Sequence, residues 1–162
     1  QDADFALFRY SDVLLMKAKE TGFDGPDGTA VGIINQIRER AGATDYVAVD
    51  FNAGFYKYPA NPADTNAITD NDKFMDALFK ERRLELAFEN QRLFDLIRAG
   101  KAVSALQENF AKEYDLHYSD YKPQPSLEDL QNNVTKDHLL LPIPQREIDA
   151  NTTITIQQNP GY

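Results

Sequence analysis

The sequence predicts an all-α chain built from helical hairpins, with long loops between them and a proline-rich tail. Apolar residues recur at spacings of three and four in several segments, which is typical of helices that bury one face. Stretches containing glycine or proline follow those segments and would end them. At 162 residues the chain has the size of one domain, so we expect residues 1–162 to form one helical domain.

The first two predicted helices form a hairpin. Residues 5–20 place apolar side chains along one stripe, and Ser11 or Asp12 could cap the start of that helix. The second helix has Thr29 as its expected N-cap, and Gly42 stands where a glycine would end it. Two antiparallel helices joined by a short connection are typical of a tetratricopeptide-like repeat.

A long insert without helical periodicity follows, from Ala43 to Asp72. Loops of this length are usually functional or disordered, and the aromatic content of this one argues against disorder. Sugar rings stack on aromatic side chains while polar groups bind their hydroxyls, so the insert is a candidate ligand site. Alternatively, the rings simply pin the loop onto the helices. The candidate ligand-binding residues are Tyr46, Phe55, Tyr56 and Tyr58.

The same spacing predicts a helix from Asp72 to about Glu89. Asn90 interrupts it, because asparagine tolerates the left-handed backbone conformation better than most residues. A further helix is predicted over residues 92–99, with Gly100 at its end.

The last third of the chain is less regular. Phe110, Tyr114 and Tyr118 are spaced by four, which predicts a helix whose rings pack in a core. The tail contains too many prolines to be one regular element. It is predicted as an extended run, one short helical turn at residues 144–150 and a wrapped terminus.

Alternating charges mark the segment from Lys80 to Arg98, KERRLELAFENQRLFDLIR. Carboxylates recur every four residues with arginines three positions away, so guanidinium groups can meet carboxylates there. We expect a structural ion network, joined by two arginines of the first two helices. The alternative is a glycosidase acid and base, but arginine neighbours would hold both carboxylates ionised, whereas that chemistry needs different pKa values. The predicted network is Arg9, Arg38, Glu81, Arg82, Glu85, Glu89, Arg92 and Asp95.

Composition argues against several other functions. The formal net charge of −9 disfavours a nucleic-acid partner, because phosphates favour a basic surface. Cysteine is absent, which excludes disulfides and thiolate metal sites. The two histidines, His117 and His138, share no partner at metal-ligand spacing. We therefore predict no catalytic residue, no metal and no cofactor.

Five segments taken together resemble the C-terminal region of the SusD/RagB family. They occur in the order and at the approximate spacing typical of that family. Two residues depart from its pattern, since Asn90 stands where glycine is usual and Leu93 where tryptophan is usual. The segments are RYSDVLLMKAKE (9–20), INQIRERAG (34–42), ERRLELAFENQRLFDLIRAGK (81–101), LLPIPQREIDAN (140–151) and QNPGY (158–162).

The resemblance implies a cell-surface lipoprotein of Bacteroidota built on tetratricopeptide-like repeats. Such a protein binds an oligosaccharide or a peptide at the outer membrane without catalysing a reaction, and delivers it to a SusC-like TonB-dependent transporter. The lipid anchor and most of the repeats are then expected on an N-terminal part that precedes this chain. The alternative is a helical protein–protein interaction module that docks a partner through its aromatic loop.

Overall fold

A computed structural model describes residues 8–46 and 54–162, which are mainly helical, as predicted. Seven α-helices and one 3₁₀ helix (Asp137–Leu139) occur in these ranges, and neither range contains a β-strand. The all-α prediction is confirmed, whereas the tetratricopeptide-like arrangement stays a prediction. In chain order the helices are α1 (Tyr10–Thr21), α2 (Thr29–Arg40), α3 (Asn71–Glu85), α4 (Arg92–Arg98), α5 (Ala102–Tyr118), α6 (Leu127–Asn132) and α7 (Gln145–Ala150).

The chain divides into two compact units, one over residues 1–92 and the other over residues 93–162. Helices α1, α2 and α3 belong to the first unit, and α5, α6 and α7 belong to the second. That residues 1–162 form one domain stays a prediction.

The core of the first unit is formed by the apolar faces of α1, α2 and α3. Ile34 and Ile37, which share the predicted apolar stripe of α2, are 0% and 2% exposed. Phe74 on α3 is completely buried, and its ring centroid lies 6.3 Å from that of Phe23 in the connection between α1 and α2. Burial of each large apolar side chain stabilises the folded state by about 1.5–3 kcal/mol. The cluster is therefore the main apolar contribution that holds the three helices together.

The start of α1 differs from the prediction. Arg9 is the N-cap, and its side chain forms no capping hydrogen bond. Ser11 and Asp12, the predicted caps, lie inside the first turn and are buried. The Asp12 carboxylate instead accepts a hydrogen bond from Arg82 Nη1 at 2.8 Å. A side chain that could cap the helix locally therefore forms a long-range ion pair. Residues 5–7 of the predicted segment lie outside the described residues.

The start of α2 also needs a correction, because Thr29 is its first residue and Gly28 is the N-cap. Asp24 supplies the capping group, since its carboxylate accepts hydrogen bonds from the backbone N–H of Thr29 at 2.7 Å and of Ala30 at 3.1 Å. The bond from Ala30 is the main cause of a lowered pKa of Asp24. A carboxylate suits this place because the first N–H groups of a helix lack partners within it. Gly42, with φ 100°, follows the helix as predicted.

Helix α3 ends at Glu85 and not near the predicted Glu89. Phe88 (φ 66°) and Asn90 (φ 58°) both adopt the left-handed conformation. The prediction for Asn90 is correct, but Phe88 was missed because a bulky aromatic residue is strained there and gives no local signal. The chain therefore leaves the helix earlier. Gly100, with φ 67°, follows α4 as predicted.

In the second unit, α5 and α6 are joined by two glutamines. The side-chain amides of Gln107 and Gln131 each donate to the backbone carbonyl of the other at 3.0 Å. Along α5 the rings of Tyr114 and Tyr118 stack with centroids 5.9 Å apart, and Phe110 contacts Tyr118. Their spacing predicted packing in a core, but all three rings are only half-buried.

The tail contains the predicted short helix, α7. After it, the Gln158 side-chain amide donates to the Ile143 carbonyl at 2.8 Å and accepts from the Ile143 N–H at 2.7 Å. Asn159 donates to the Leu141 carbonyl at 2.7 Å. These bonds hold the end of the chain beside the segment that precedes α7, while the predicted wrapping of the terminus stays a prediction.

Phe74→Ala is expected to lower the free energy of unfolding by about 3–5 kcal/mol, because the buried ring would leave a cavity. Phe88→Ala is the matched control, since that ring is fully exposed and its loss should change the free energy by less than about 0.5 kcal/mol. Urea unfolding followed by circular dichroism measures both values. Equal losses in the two variants would contradict the placement of the core.

Candidate functional site

The insert is fastened to itself by backbone hydrogen bonds close to the end of α2. The Thr44 N–H donates to the Phe55 carbonyl at 3.0 Å, and the Lys57 N–H donates to the Thr44 carbonyl at 2.9 Å. These bonds form an isolated parallel bridge between Thr44 and Tyr56. The two stretches that carry the predicted aromatic residues therefore lie side by side.

Asn35 on α2 fixes the position of Tyr58. The Asn35 amide group donates to the Tyr58 carbonyl at 2.9 Å, and its carbonyl oxygen accepts from the Tyr58 N–H at 2.7 Å. One side chain thus satisfies both backbone groups of one residue, as a neighbouring strand would. The backbone that carries the Tyr58 ring is therefore held by α2.

Arg38 holds the same stretch through its guanidinium group. Its side chain is 3% exposed and its Nη1 lies 2.9 Å from Glu81 Oε2 on α3. Its Nε donates to the Tyr56 carbonyl at 2.8 Å. The guanidinium carbon lies 4.5 Å from the ring centroid of Phe55 and 4.8 Å from that of Tyr58, within the range of cation–π attraction. One cation therefore connects α2, α3 and the insert.

A groove of about 520 Å³ lies between α2 and the insert. This volume is within the range of pockets that bind small molecules. The rings of Tyr46 and Tyr58 line it and supply apolar surface. Polar groups complete the lining, namely those of Gln36, Glu39, Asp45, Lys57, Asn61 and Asp64.

The structure divides the four predicted ligand-binding residues into two pairs. Tyr46 and Tyr58 line the groove. Tyr56 packs edge-on against Tyr46 with ring centroids 6.4 Å apart, and Phe55 lies against Arg38. Phe55 and Tyr58 therefore contact α2 through Arg38, whereas Tyr56 contacts another ring of the insert. A role for any of the four in ligand binding stays a prediction.

The Tyr58 phenol keeps its proton over a wide pH range. Burial raises the pKa of Tyr58, Arg38 opposes this shift and Glu81 adds to it. A protonated phenol can donate one hydrogen bond as well as accept. The Tyr58 hydroxyl is therefore uncharged at neutral pH.

Among the described residues that line the groove, Lys57 carries the one ammonium group. Its Nζ lies 2.7 Å from Asp45 Oδ1 and 3.2 Å from Glu39 Oε1. The pKa of Lys57 is raised, first by the contact with Asp45 and then by that with Glu39. Both carboxylates are largely exposed, so these pairs add little to the stability of the fold. Their main effect is to hold the Lys57 ammonium group beside Asp45 and Glu39.

A separate ion cluster surrounds Glu85 at the end of α3. Arg9 Nη1 lies 2.6 Å from Glu85 Oε1, and Arg9 Nε lies 2.8 Å from Glu89 Oε1. Arg40 Nη2 reaches the same Glu85 oxygen at 2.5 Å, and Arg9 also donates to the Glu85 carbonyl. The Glu85 side chain is 6% exposed, so two guanidinium groups neutralise one buried carboxylate.

The predicted ion-network residues have different partners. Arg92 donates to the Phe79 carbonyl at 3.3 Å, and Asp95 pairs with Arg98 at 2.7 Å in the second unit. The other six form ion pairs within the first unit, namely Arg9, Arg38, Glu81, Arg82, Glu85 and Glu89. That these pairs serve only as scaffold stays a prediction.

Two members of these pairs were missed in the sequence. Asp12 pairs with Arg82, and Arg40 pairs with Glu85. Asp12 gave a signal, because it occupies a position in the apolar stripe of α1 where a carboxylate needs a buried partner. Arg40 gave none, since an arginine in the last turn of a helix is common on an exposed surface.

The carboxylates of α3 do not share one electrostatic environment. Burial raises the pKa of Glu81 against the opposing effect of Arg38. For Glu85, the effect of burial is outweighed by the nearby Ser11 side chain and by Arg9 and Arg40, so its pKa is lowered. That neighbouring arginines hold both carboxylates ionised stays a prediction. Neither carboxylate lines the groove.

Residues 8–46 and 54–162 contain no candidate metal site and no candidate membrane span. There, no group of three or more His, Cys, Asp or Glu side chains is arranged to hold a metal ion. Likewise, every described helix is too short or too polar to cross a bilayer.

Comparison with known proteins gives consistent matches. The model of the SusD family matches residues 1–162. SusD-like protein P25 of Formosa agariphila is 32% identical over 96% of this chain and 24% of its own length. SusD-like protein P38 of that organism is 38% identical over 65% of the chain and 19% of its own length. SusD-like protein P2 of the same organism is 26% identical over 98% of this chain and 26% of its own length. The chain thus spans about a quarter or less of the length of these curated relatives.

Removal of either partner of the Arg38–Glu81 pair is expected to be strongly destabilising. Glu81→Gln or Arg38→Met leaves a buried charge without its partner and should lower the free energy of unfolding by about 3–5 kcal/mol. The double variant should lose less than the sum of the two. Urea unfolding of the four proteins measures the coupling, and additive losses would show that the pair does not act as a unit.

Glu85 is expected to make stability depend on acidic pH. Its pKa in the folded protein is below the ordinary 4.5, so between these values the unfolded chain binds more protons and stability rises with pH. The contribution is complete above 4.5 and is lost as the pH falls through the lowered pKa.

Glu85→Gln should therefore flatten the acidic part of the curve of unfolding free energy against pH. Glu20→Gln, at an exposed position of α1, is the matched control and should leave the curve unchanged. Urea unfolding at a series of acidic pH values gives both curves. The same slope in Glu85→Gln as in the unchanged protein would refute the assignment.

Proposed function

The chain belongs to the SusD family, and on that premise we propose that a protein carrying it captures an oligosaccharide nutrient at the cell surface. Within this chain, the observation that supports the proposal is the groove lined by Tyr46 and Tyr58. Its mechanism is binding and hand-over, without a chemical step.

The groove offers the two kinds of surface that a sugar requires. The rings of Tyr46 and Tyr58 can stack against the apolar C–H face of a pyranose. The amides of Gln36 and Asn61 and the carboxylate of Asp64 can bind its hydroxyls. A few directional polar groups around apolar surface are typical of small-molecule sites.

The supports of the insert favour binding because they order the site in advance. Asn35 holds both backbone groups of Tyr58, and Arg38 contacts its ring and the Tyr56 carbonyl. A ligand then loses less affinity to the ordering of a mobile loop. The arrangement suits a rigid platform for capture.

We further propose that the whole protein lies at the outer membrane, attached by a lipid outside this chain, and passes its ligand to a SusC-like TonB-dependent transporter. Family membership supports this proposal. Co-purification of the full-length protein with a TonB-dependent transporter tests it, and the absence of any such transporter among its partners would count against it.

We propose that capture is not coupled to catalysis. Glu81 is bound to Arg38 and Glu85 is bound to Arg9 and Arg40, and neither carboxylate lines the groove. A retaining or inverting glycosidase needs two carboxylates facing each other across the scissile bond. Turnover of a reporter glycoside that Glu85→Gln abolishes would overturn this proposal.

Tyr46→Ala in the full-length protein is expected to weaken oligosaccharide binding about tenfold, because one stacking face is lost, equivalent to about 1.4 kcal/mol. Tyr46 is preferred to Tyr58 for this test because Tyr58 also contacts Arg38. Tyr121→Ala, a ring that is 60% exposed in the second unit, is the matched control.

A glycan array identifies an oligosaccharide that binds, and calorimetry then gives its dissociation constant for each variant. Undiminished binding by Tyr46→Ala would place the ligand elsewhere in the protein. Binding to no glycan, together with capture of a protein partner that Tyr46→Ala abolishes, would favour the interaction module instead.

A further inference from the structure

We infer that the groove selects oligosaccharides without negative charge and that Asp64 and Glu39 are the carboxylates that discriminate against anionic ones. This selectivity rests on the proposed function, because it takes the groove to be the sugar site. It adds the chemical class of sugar that the site accepts.

Negative charges outnumber positive ones in the groove lining. Among residues 8–46 and 54–162, the lining has the carboxylates of Glu39, Asp45 and Asp64 and one ammonium group, that of Lys57, which gives a formal charge of −2. Lys57 Nζ already lies 2.7 Å from Asp45 and 3.2 Å from Glu39. Because these two carboxylates compensate the positive charge of Lys57, it attracts an anionic ligand only weakly.

Asp64 carries the least compensated of these charges. Within residues 8–46 and 54–162 its carboxylate forms no ion pair. Its backbone N–H donates to the Asn61 carbonyl at 3.1 Å, and its carbonyl accepts from the Ala67 N–H at 3.0 Å. The turn thus holds Asp64 at the groove while leaving its negative charge available to a ligand.

The sequence of the insert contains no cation besides Lys57. Residues 43–72 contain five aspartates, and Lys57 is their only basic residue. The stretch 47–53 contributes Asp50 and no Lys, Arg or His. The two arginines of α2, Arg38 and Arg40, are bound to carboxylates of α3.

These charges act differently on neutral and anionic sugars. A uronate or sulfate group in the groove would lie within the screening length, about 8 Å at physiological ionic strength, of the Asp64 and Glu39 carboxylates. Like charges brought together in this way disfavour the wrong ligand. Sugar hydroxyls, in contrast, can donate to the same carboxylates, and hydrogen bonds to ionised acceptors are stronger than neutral ones.

Pairs of oligosaccharides that differ only in charge test the selectivity. Neutral oligosaccharides and their counterparts oxidised from the C6 alcohol to the carboxylate are titrated into the full-length protein by calorimetry, at low and at high salt. Each neutral ligand that binds should do so about tenfold more tightly than its uronate at low salt. The difference should shrink at high salt because the repulsion is screened.

Asp64→Asn should strengthen uronate binding about twofold to fivefold while changing neutral binding less. Glu39→Gln, at an exposed position of α2, should also strengthen uronate binding. Because it lies outside the turn at Asp64, it separates an effect of charge from a change in the shape of that turn. Glu20→Gln removes the same charge from α1, outside the groove lining, and should alter neither affinity. An unchanged thermal unfolding temperature verifies that each variant is folded.

The possible failures can be told apart. If neutral sugars bind and Tyr46→Ala weakens them, but their uronates bind equally well, the selectivity is overturned and the proposed function stands. A preference for neutral sugars that neither Asp64→Asn nor Glu39→Gln reduces also overturns it. If no oligosaccharide of either charge binds, both the proposed function and the selectivity are overturned.

Discussion

The ion pair between Arg38 and Glu81 is the interaction on which the groove depends. Both side chains are 3% exposed, and a buried pair of this kind adds little net stability compared with apolar residues of the same size. Its contribution is positional, because the guanidinium group also binds the Tyr56 carbonyl and lies against the rings of Phe55 and Tyr58. These partners satisfy the cation only when α2, α3 and the insert meet in one arrangement.

Periodicity predicted most of the helices but not all of their ends. Within the described residues, six of the seven α-helices lie where the sequence predicted a helical segment, whereas α6 was not anticipated. The ends differ where a distant partner or an unusual backbone conformation intervenes. Asp12 is drawn into an ion pair with Arg82, and Phe88 turns the chain out of α3 in a conformation that few aromatic residues adopt. Neither effect can be recognised from local sequence.

The candidate site shows the same division between composition and geometry. Aromatic and polar residues marked the insert as a candidate ligand site, and some of them line a groove. Their spacing could not show that Phe55 lies against Arg38 or that Tyr46 lines the groove. Charge spacing from Lys80 to Arg98 suggested pairs three positions apart. Asp95 and Arg98 form such a pair, whereas Arg38 and Glu81 are 43 positions apart. Long-range pairs depend on how helices pack, which a single sequence does not contain.

The double hydrogen bond of Asn35 makes that position sensitive to chemistry more than to shape. Its amide donates to one backbone group of Tyr58 and accepts from the other. Deamidation to aspartate would keep the size of the side chain but exchange its donor for a second acceptor, which would then face the carbonyl oxygen of Tyr58. Deamidation of this one side chain would thus loosen the insert at Tyr58 while leaving the hydrogen bonds within the helices in place.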